Sequence, residues 1–590
     1  MSAQKSDLSN GIYGYDFVVA TTQASINATM KAFLASASEP EAKICYVADA
    51  KGNPTAIDYA DLVAKAHGSD PFSVPDGADP ATDKDLQNLL SARFMVGFMA
   101  RIGLPPGYAP TDIPDIVTLG ANTASVTFRL MCSEFVVVQL TPASGYASAS
   151  WMNVSQPPGD AWLFTSKVDL RMFATGQNAY NNLPPDVRKQ IANLGPNAFS
   201  VQQLLFDLDN AGLETIPTMS GVQPGTTLYT VLQTDFLGAY FAAMQAQGSP
   251  VLGCTVSVPA AQGPDSTLRL SNVNMEVDPF LDSGGAPVPN PTPDQQNLAT
   301  LSYLCQADGN PLHVPTQFSW NWLDELGGSD GVLSVNRHTF ANYFQQQLMP
   351  YVSRVCYKSW VRVWLSDADT KVNYAWSLTG NQTPTVTTPT SGSTVVRFHY
   401  NSYYEDDAGL NGDMGHMTLV PSLDVSVDFT GNTIVVTQHL VVYLYLKYLA
   451  TPADGNVIDK TITDTYTLAV DQAGRLTTTP PASVTVDNSD TPSANGFLNF
   501  FADVEKIVHD VHNWIAPFVA THFTDLPISA VQNFVFPGGN TFLCKNVQFS
   551  DFQDLTVDIT YADPTQFHLS TLAHAADSRA TMPVRDEVTS

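Results

Sequence analysis

Basic residues are scarce in this chain of 590 residues: 27 Lys and Arg face 56 Asp and Glu, for a formal charge of −29. Charge of that sign repels a phosphate backbone or an anionic bilayer at long range, which excludes nucleic acid as a partner. It does not exclude a lipid, because an apolar tail is recognised by burial and a local basic spot can accept one headgroup. Cysteine is scarce as well. Cys45, Cys132, Cys254, Cys305, Cys356 and Cys544 are scattered with no Cys-x-x-Cys pair, which excludes a zinc knuckle and a disulfide-dense scaffold and leaves buried reduced thiols. The start, MSAQKSDLSN, has no basic stretch followed by an apolar run, so the expectation is a soluble protein, cytoplasmic or released by a route without a classical signal peptide. The most apolar run, Ile434 to Leu449, is broken by Gln438, His439 and Lys447. It falls short of the roughly 20 residues a membrane span needs, so no transmembrane segment is expected and the run reads as a long strand. Sequons at Asn27, Asn153 and Asn381 match a pattern short enough to arise by chance.

Catalytic signatures are missing too. There is no phosphate loop, no GxGxxG and no cysteine in a recognisable signature with histidine, so the expectation is a protein that is not an enzyme and carries no cofactor. What the chain does have is 44% hydrophobic and only 14% charged residues, the balance being Thr, Ser, Asn, Gln, Gly and Pro, a strand-and-turn composition. Its length implies two or more domains or one elongated body built from repeats.

Tyr15 to Ala20 reads as a short strand, followed by a helix in which Ile26, Met30, Phe33 and Leu34 fall at helical spacing. A second helix is predicted over Asp85 to Ile102, where Leu86, Leu89, Leu90, Phe94, Met95, Phe98 and Met99 crowd more than one face before Gly-Leu-Pro-Pro. Strands follow at Val126 to Leu130, Phe135 to Leu140 and Leu163 to Met172, then a helix over Leu228 to Ala246 with Val231, Leu232, Phe236, Tyr240, Phe241 and Met244 on its apolar side. Proline fixes its dihedral and lacks a donor, so SGGAPVPNPTP, within Asp282 to Asp294, reads as a linker or surface loop. Gly331 to Val335 leads into a helix through Phe340, Tyr343, Phe344 and Leu348, echoing the opening unit. Trp360 to Val486 is nearly all strand, including Val395 to Tyr400, Leu423 to Phe429, Thr433 to Tyr448, Thr463 to Val470 and Ser483 to Val486, which suits an antiparallel meander. A last helix is predicted over Gly496 to Phe518, then closing strands and a polar tail.

Several of these segments resemble a known family. Tyr13-Gly14-Tyr15-Asp16, FRLMCSEFVVVQL at Phe128 to Leu140, FSVQQLLFDLDNAGL at Phe199 to Leu213, YLCQADGNPL at Tyr303 to Leu312, FSWNWLD at Phe318 to Asp324 and FPGG at Phe536 to Gly539 are similar to the clostridial P-forty-seven and OrfX-type proteins of botulinum neurotoxin gene clusters, members of the tubular lipid-binding (TULIP) superfamily. The resemblance is thinnest from Ser366 to Pro492. It implies an α+β fold in which long helices are wrapped by strongly curved antiparallel sheets, two such lobes forming an elongated body with an apolar channel between helix and sheet. On that scheme residues 1–281 are the N-terminal lobe, 282–298 the linker, 299–574 the C-terminal lobe with a strand-rich insertion over 366–492, and 575–590 the tail. The implied role is binding of a lipid or hydrophobic small molecule, as an accessory factor beside other proteins of the same gene cluster. Phe94, Phe98, Met99, Phe236, Tyr240 and Phe241 are then the candidate lining of the groove. The same apolar stripes fill an ordinary core equally well, so pattern alone leaves open an alternative: a non-catalytic interaction scaffold whose channel is filled by side chains. An enzyme acting on an apolar substrate in the channel is the second alternative.

Other constellations are weaker. Glu505, His509 and His512 share a helix face, with His522 further on, and could present metal ligands, but no general-base glutamate sits between the histidines and surface histidines explain them more simply. Glu405, Asp406, Asp407 and Asp413 lack the alternating spacing of a calcium loop and read as a solvated hairpin tip, as do the pairs Asp367/Asp369 and Asp487/Asp490. Phe318, Trp320 and Trp322 alternate as on one strand face and read as core rather than as a binding platform.

Overall fold

The computed structural model describes residues 2–36, 41–120, 125–175, 200–206, 213–216, 219, 222–236, 238–240, 253–257, 270–307, 309–366, 372–409, 414–448, 451–472, 474, 476–479, 482–489, 534–536 and 540–561. Its organising element is a sheet of 13 strands. The strand Phe17–Thr22, buried along its whole length, lies between Thr300–Ala307 and Gly331–Val335, with Phe17 opposite both Cys305 and Val335. A side chain at Gly331 would collide with the Ala20 carbonyl oxygen, so this close strand approach needs glycine. Leu270–Asp278 extends the sheet beyond Thr300–Ala307, and Leu555–Tyr561 and Asn540–Phe549 extend it beyond Gly331–Val335.

Both faces of this sheet are covered, which is why its strands read as continuous apolar runs. One face presents Val18, Ala20, Leu304 and Val332 to Tyr13, Tyr15, Phe318, Trp320 and Trp322. The other presents Phe17, Val19, Tyr303 and Leu333 to the helix Arg337–Val352, whose Phe340 and Phe344 are buried there. A second sheet of eight strands, built around the long neighbours Gly415–Thr430, Thr433–Tyr448 and Thr451–Val470, closes over that helix. Phe429 stacks on Phe549 at 4.3 Å between ring centroids and meets Phe340 at 5.4 Å. A five-stranded sheet, in the order Pro54–Ile57, Ala42–Ala48, Phe94–Ile102, Cys132–Thr141 and Ser150–Ser155, and a two-stranded ribbon complete the described sheets. Cys45, Cys132, Cys305, Cys356 and Cys544 are buried and form no disulfide with one another.

The fold class expected from the sequence is corrected. The described protein is mostly β, with several antiparallel sheets that are neither closed nor curled into a wrap. Among the described residues only four α-helices reach seven residues, and the longest, Arg337–Val352, has 16. The error is visible at Asp85 to Ile102. Asp83 caps a helix by accepting from the Leu86 amide, but the helix ends at Ser91, Arg93 takes a φ of 63°, and Phe94–Ile102 is a strand. A strand covered on both faces carries apolar side chains all round, and over nine residues its composition cannot be told from that of a buried helix. The helix predicted from Leu228 is Thr227–Val231 followed by one π turn, Leu232–Phe236, as far as the continuous description reaches. Val126 to Leu130 and Phe135 to Leu140 are strands, yet they sit in different sheets. The predicted loop after Asp282 contains a short helix, Pro293–Asn297, opened by a Thr292/Gln295 capping box.

Candidate functional site

An open groove of about 710 Å³ runs beside the helix Gln23–Ser36. Thr22 opens that helix by accepting from the Ser25 amide at 3.1 Å. One side of it buries Ile26 and Leu34 in the core. The groove side carries Ala24, Asn27, Ala28, Lys31 and Ala35, positions that share one helical face, and Pro110, Thr111, Asp115 and Asn297 form the opposite wall. The small alanines are what leave the volume open. Lys31 Nζ reaches Asp115 Oδ1 at 3.1 Å, so charge is confined to part of the groove.

Amide side chains hold the helix at this distance. Asn27 Nδ2 donates to the Val117 carbonyl at 2.8 Å and Asn27 Oδ1 accepts from the Val117 amide at 2.9 Å. Gln23 Oε1 accepts from the Leu119 amide at 2.8 Å, and Gln296 Nε2 donates to the Leu119 carbonyl at 2.7 Å. Three side chains thereby satisfy the outer edge of the strand Val117–Leu119 as another strand would.

A second cluster lies under the aromatic cover of the central sheet. Glu276 and Asp278 alternate with Met275 and Val277 on the strand Leu270–Asp278, so both carboxyls project to the face occupied by Trp320 and Trp322. Glu276 is fully buried, and neither of its oxygens finds a hydrogen-bond partner among the described residues. Burial, with Asp278 adding to it, pushes the Glu276 carboxyl up to about 8; the nearby Thr316 amide offsets part of the rise without closing a bond of normal geometry. Asp278 is pushed up to about 7 by burial, against hydrogen bonds from Ser302 Oγ and the Phe318 amide. Tyr15, raised to about 12 chiefly by burial, belongs to the same environment. Burial thus biases both carboxyls toward their protonated forms, Glu276 more than Asp278.

Phe98, Phe236 and Tyr240 are wholly buried in one aromatic cluster, Phe236 lying 5.4 Å from Phe98 and 5.7 Å from Tyr240 by ring centroids. Phe94 packs in a separate cluster with Leu86, Leu89 and Trp151, and Met99 is partly buried against that cluster. Phe241, His509 and His512, with Glu505 and His522, lie outside the described residues. Among the described residues no group of three or more His, Cys, Asp or Glu could hold a metal ion. Glu405, Asp406 and Asp407 lie in the strand Tyr404–Ala408 rather than at a hairpin tip. Asp406 accepts from the Val363 amide at 2.7 Å and Asp407 pairs with His416 at 2.5 Å. Asp367, Asp369, Asp413 and Asp490 are outside the description, while Asp487 accepts from Ser489 and pairs with Lys460 at 3.1 Å. Phe318, Trp320 and Trp322 are buried as expected, although their segment is irregular rather than a strand. Sequence reading missed Glu276 and Asp278; two acids alternating with Met and Val was the available signal.

Among the described residues no helix is long and apolar enough to cross a membrane. No family model and no curated sequence matches the chain. Among solved structures it is similar to P47 of Clostridium botulinum E1, at 8% identity and a TM-score of 0.41, covering 93% of this chain and 99% of that one. A lipopolysaccharide binding protein aligns over the same shares, also at 8% identity, with a TM-score of 0.28. Both neighbours lie in the direction of the resemblance seen in the sequence, and at these scores neither carries an argument about this chain.

Proposed function

We propose that this chain is a non-enzymatic protein that binds a lipid or another apolar molecule, and that the groove beside Gln23–Ser36 receives it. The observation that supports this reading is the groove itself. Its volume of about 710 Å³ falls within the roughly 300–1,000 Å³ of small-molecule sites. Its helical wall is mostly alanine, and its one cation, Lys31, is placed to meet an anionic headgroup by exchanging Asp115 for it. Each methylene sheltered there contributes about 0.8 kcal/mol. Filling the space from an exposed position tests the proposal: Ala28→Trp is expected to abolish uptake of a fluorescent fatty acid while leaving thermal stability unchanged. Uptake that persists in Ala28→Trp would remove the groove from the account.

A second reading, a non-catalytic interaction scaffold, is favoured by one observation: Phe98, Phe236 and Tyr240 are wholly buried and pack on one another as core side chains. A chain that binds no offered lipid in wild-type form supports that reading.

A further inference from the structure

Residues 311–323 cross one face of the central sheet without forming a helix or a strand. Side-chain hydrogen bonds fasten them there. Tyr15 Oη donates to the Val314 carbonyl at 2.8 Å and accepts from the Thr316 amide at 3.2 Å, and Tyr13 Oη accepts from the Ser319 amide at 3.2 Å. Asn321 exchanges bonds of 2.8 and 3.0 Å with the Leu281 backbone. The segment buries Phe318, Trp320 and Trp322 against Val18, Ala20, Leu304 and Val332, while Leu312 and Val314 near its start are exposed.

Glu276 lies beneath this cover, fully buried, with neither oxygen bonded. The Trp320 indole N–H also finds no partner, and that of Trp322 approaches Asp278 without closing a bond. Every element around Glu276 lacks a cation to meet it. Its own strand brings Asp278, the neighbouring strand brings Ser302, residues 3–16 bring Tyr13 and Tyr15, and the cover brings His313, whose ring lies 6.3 Å from that of Tyr15. Asp324 and Glu325 follow the cover and are exposed. Residues 270–336, which include the cover and the strands Leu270–Asp278, Thr300–Ala307 and Gly331–Val335, contain no Lys or Arg, and neither does Phe17–Thr22. Lys5, in residues 3–16, is exposed and pairs with Asp551. An ionised Glu276 in the closed structure would therefore have no hydrogen bond and no counter-charge, a state relieved only by regaining the proton or by admitting water.

We propose that residues 311–323 are a pH-operated strap, which closes over the central sheet while Glu276 is protonated and lifts from it when Glu276 ionises. Lifting uncovers the apolar strip of Val18, Ala20, Leu304 and Val332. The rest of the sheet stays paired, because the strap is held by side chains and contributes no strand to it.

The inference is independent of the groove reading. Linkage sets the size of the effect: each carboxyl that gains water on opening raises the opening equilibrium about tenfold per pH unit between its ordinary value and its raised one. Hydrogen exchange of the full chain, measured by mass spectrometry from pH 5.5 to 7.5 and corrected for the intrinsic rate, reads it at the bonded amides of Thr316, Phe318 and Ser319. Their protection is expected to fall at least about tenfold per pH unit while the strands Phe17–Thr22 and Thr300–Ala307 keep theirs. Glu276→Gln is expected to remove one such step per unit, and Glu276→Gln/Asp278→Asn to flatten the remainder; protection of the two strands verifies the fold of each variant. Strap protection that does not change with pH in the wild-type chain would overturn the proposal, and so would loss only together with the two strands. An unaltered slope in Glu276→Gln would overturn it as well.

Discussion

Asn27 forms a two-way amide pair with the backbone of Val117, donating at 2.8 Å and accepting at 2.9 Å. A side chain on a helix here does what a neighbouring strand would do for a sheet edge. The same pair fixes the distance between the helix Gln23–Ser36 and the strand Val117–Leu119, and so the width of the groove that Asn27 lines.

Asn27→Ala is therefore expected to cost about 2–6 kcal/mol, because it strands the Val117 amide and carbonyl away from a partner, each at roughly 1–3 kcal/mol. Urea denaturation of the two proteins measures it. A change under about 0.5 kcal/mol would say that water replaces both bonds without penalty.

Stability should fall as pH rises through neutrality. The Glu276 carboxyl stands at about 8 in the folded chain against an ordinary value of 4.5, so the fold prefers the protonated form. That contribution is fully present below the unfolded value and is lost as pH climbs through the folded one. Asp278 and Asp554, each at about 7 by burial, act in the same direction. The urea midpoint is thus expected to decline between pH 5 and pH 8.5, and Glu276→Gln, which cannot ionise, to flatten that decline. A midpoint rising over this window, or an unaltered slope in Glu276→Gln, would contradict the assignment.

Phe236 meets Phe98, Phe135, Phe164 and Tyr240 at centroid distances of 5.1–5.9 Å. Phe236→Ala should cost about 3–5 kcal/mol, and Phe236→Asp should prevent folding by burying an unpaired charge. Circular dichroism melts distinguish this from the behaviour of a channel-lining residue, whose substitution would spare stability and alter binding of an apolar dye.

Local pattern carried much of the strand content. Thr433–Tyr448 is a strand over the whole predicted length, since its alternation of Ile434, Val436, Leu440, Val442, Leu444 and Leu446 buries one face. The turn from Gly331–Val335 into the helix Arg337–Val352 was equally readable, because the period switches from continuous burial to Phe340, Tyr343, Phe344 and Leu348. Pairing partners were not readable. Phe17 lies opposite Cys305 and Val335, and nothing in a window around Phe17 encodes contacts some three hundred residues away. Phe94–Ile102 failed for the reason that double-sided burial erases period. The groove was not readable because its helical wall is mostly alanine, whose only signal is the absence of bulk, whereas the aromatic residues fill the cores.

Native mass spectrometry of the purified chain, followed by organic extraction, tests the central claim most directly. The account expects a stoichiometric apolar ligand, carried through purification or taken up from offered lipids, and its absence from Ala28→Trp. A clean protein mass with no uptake by the wild-type chain would contradict it.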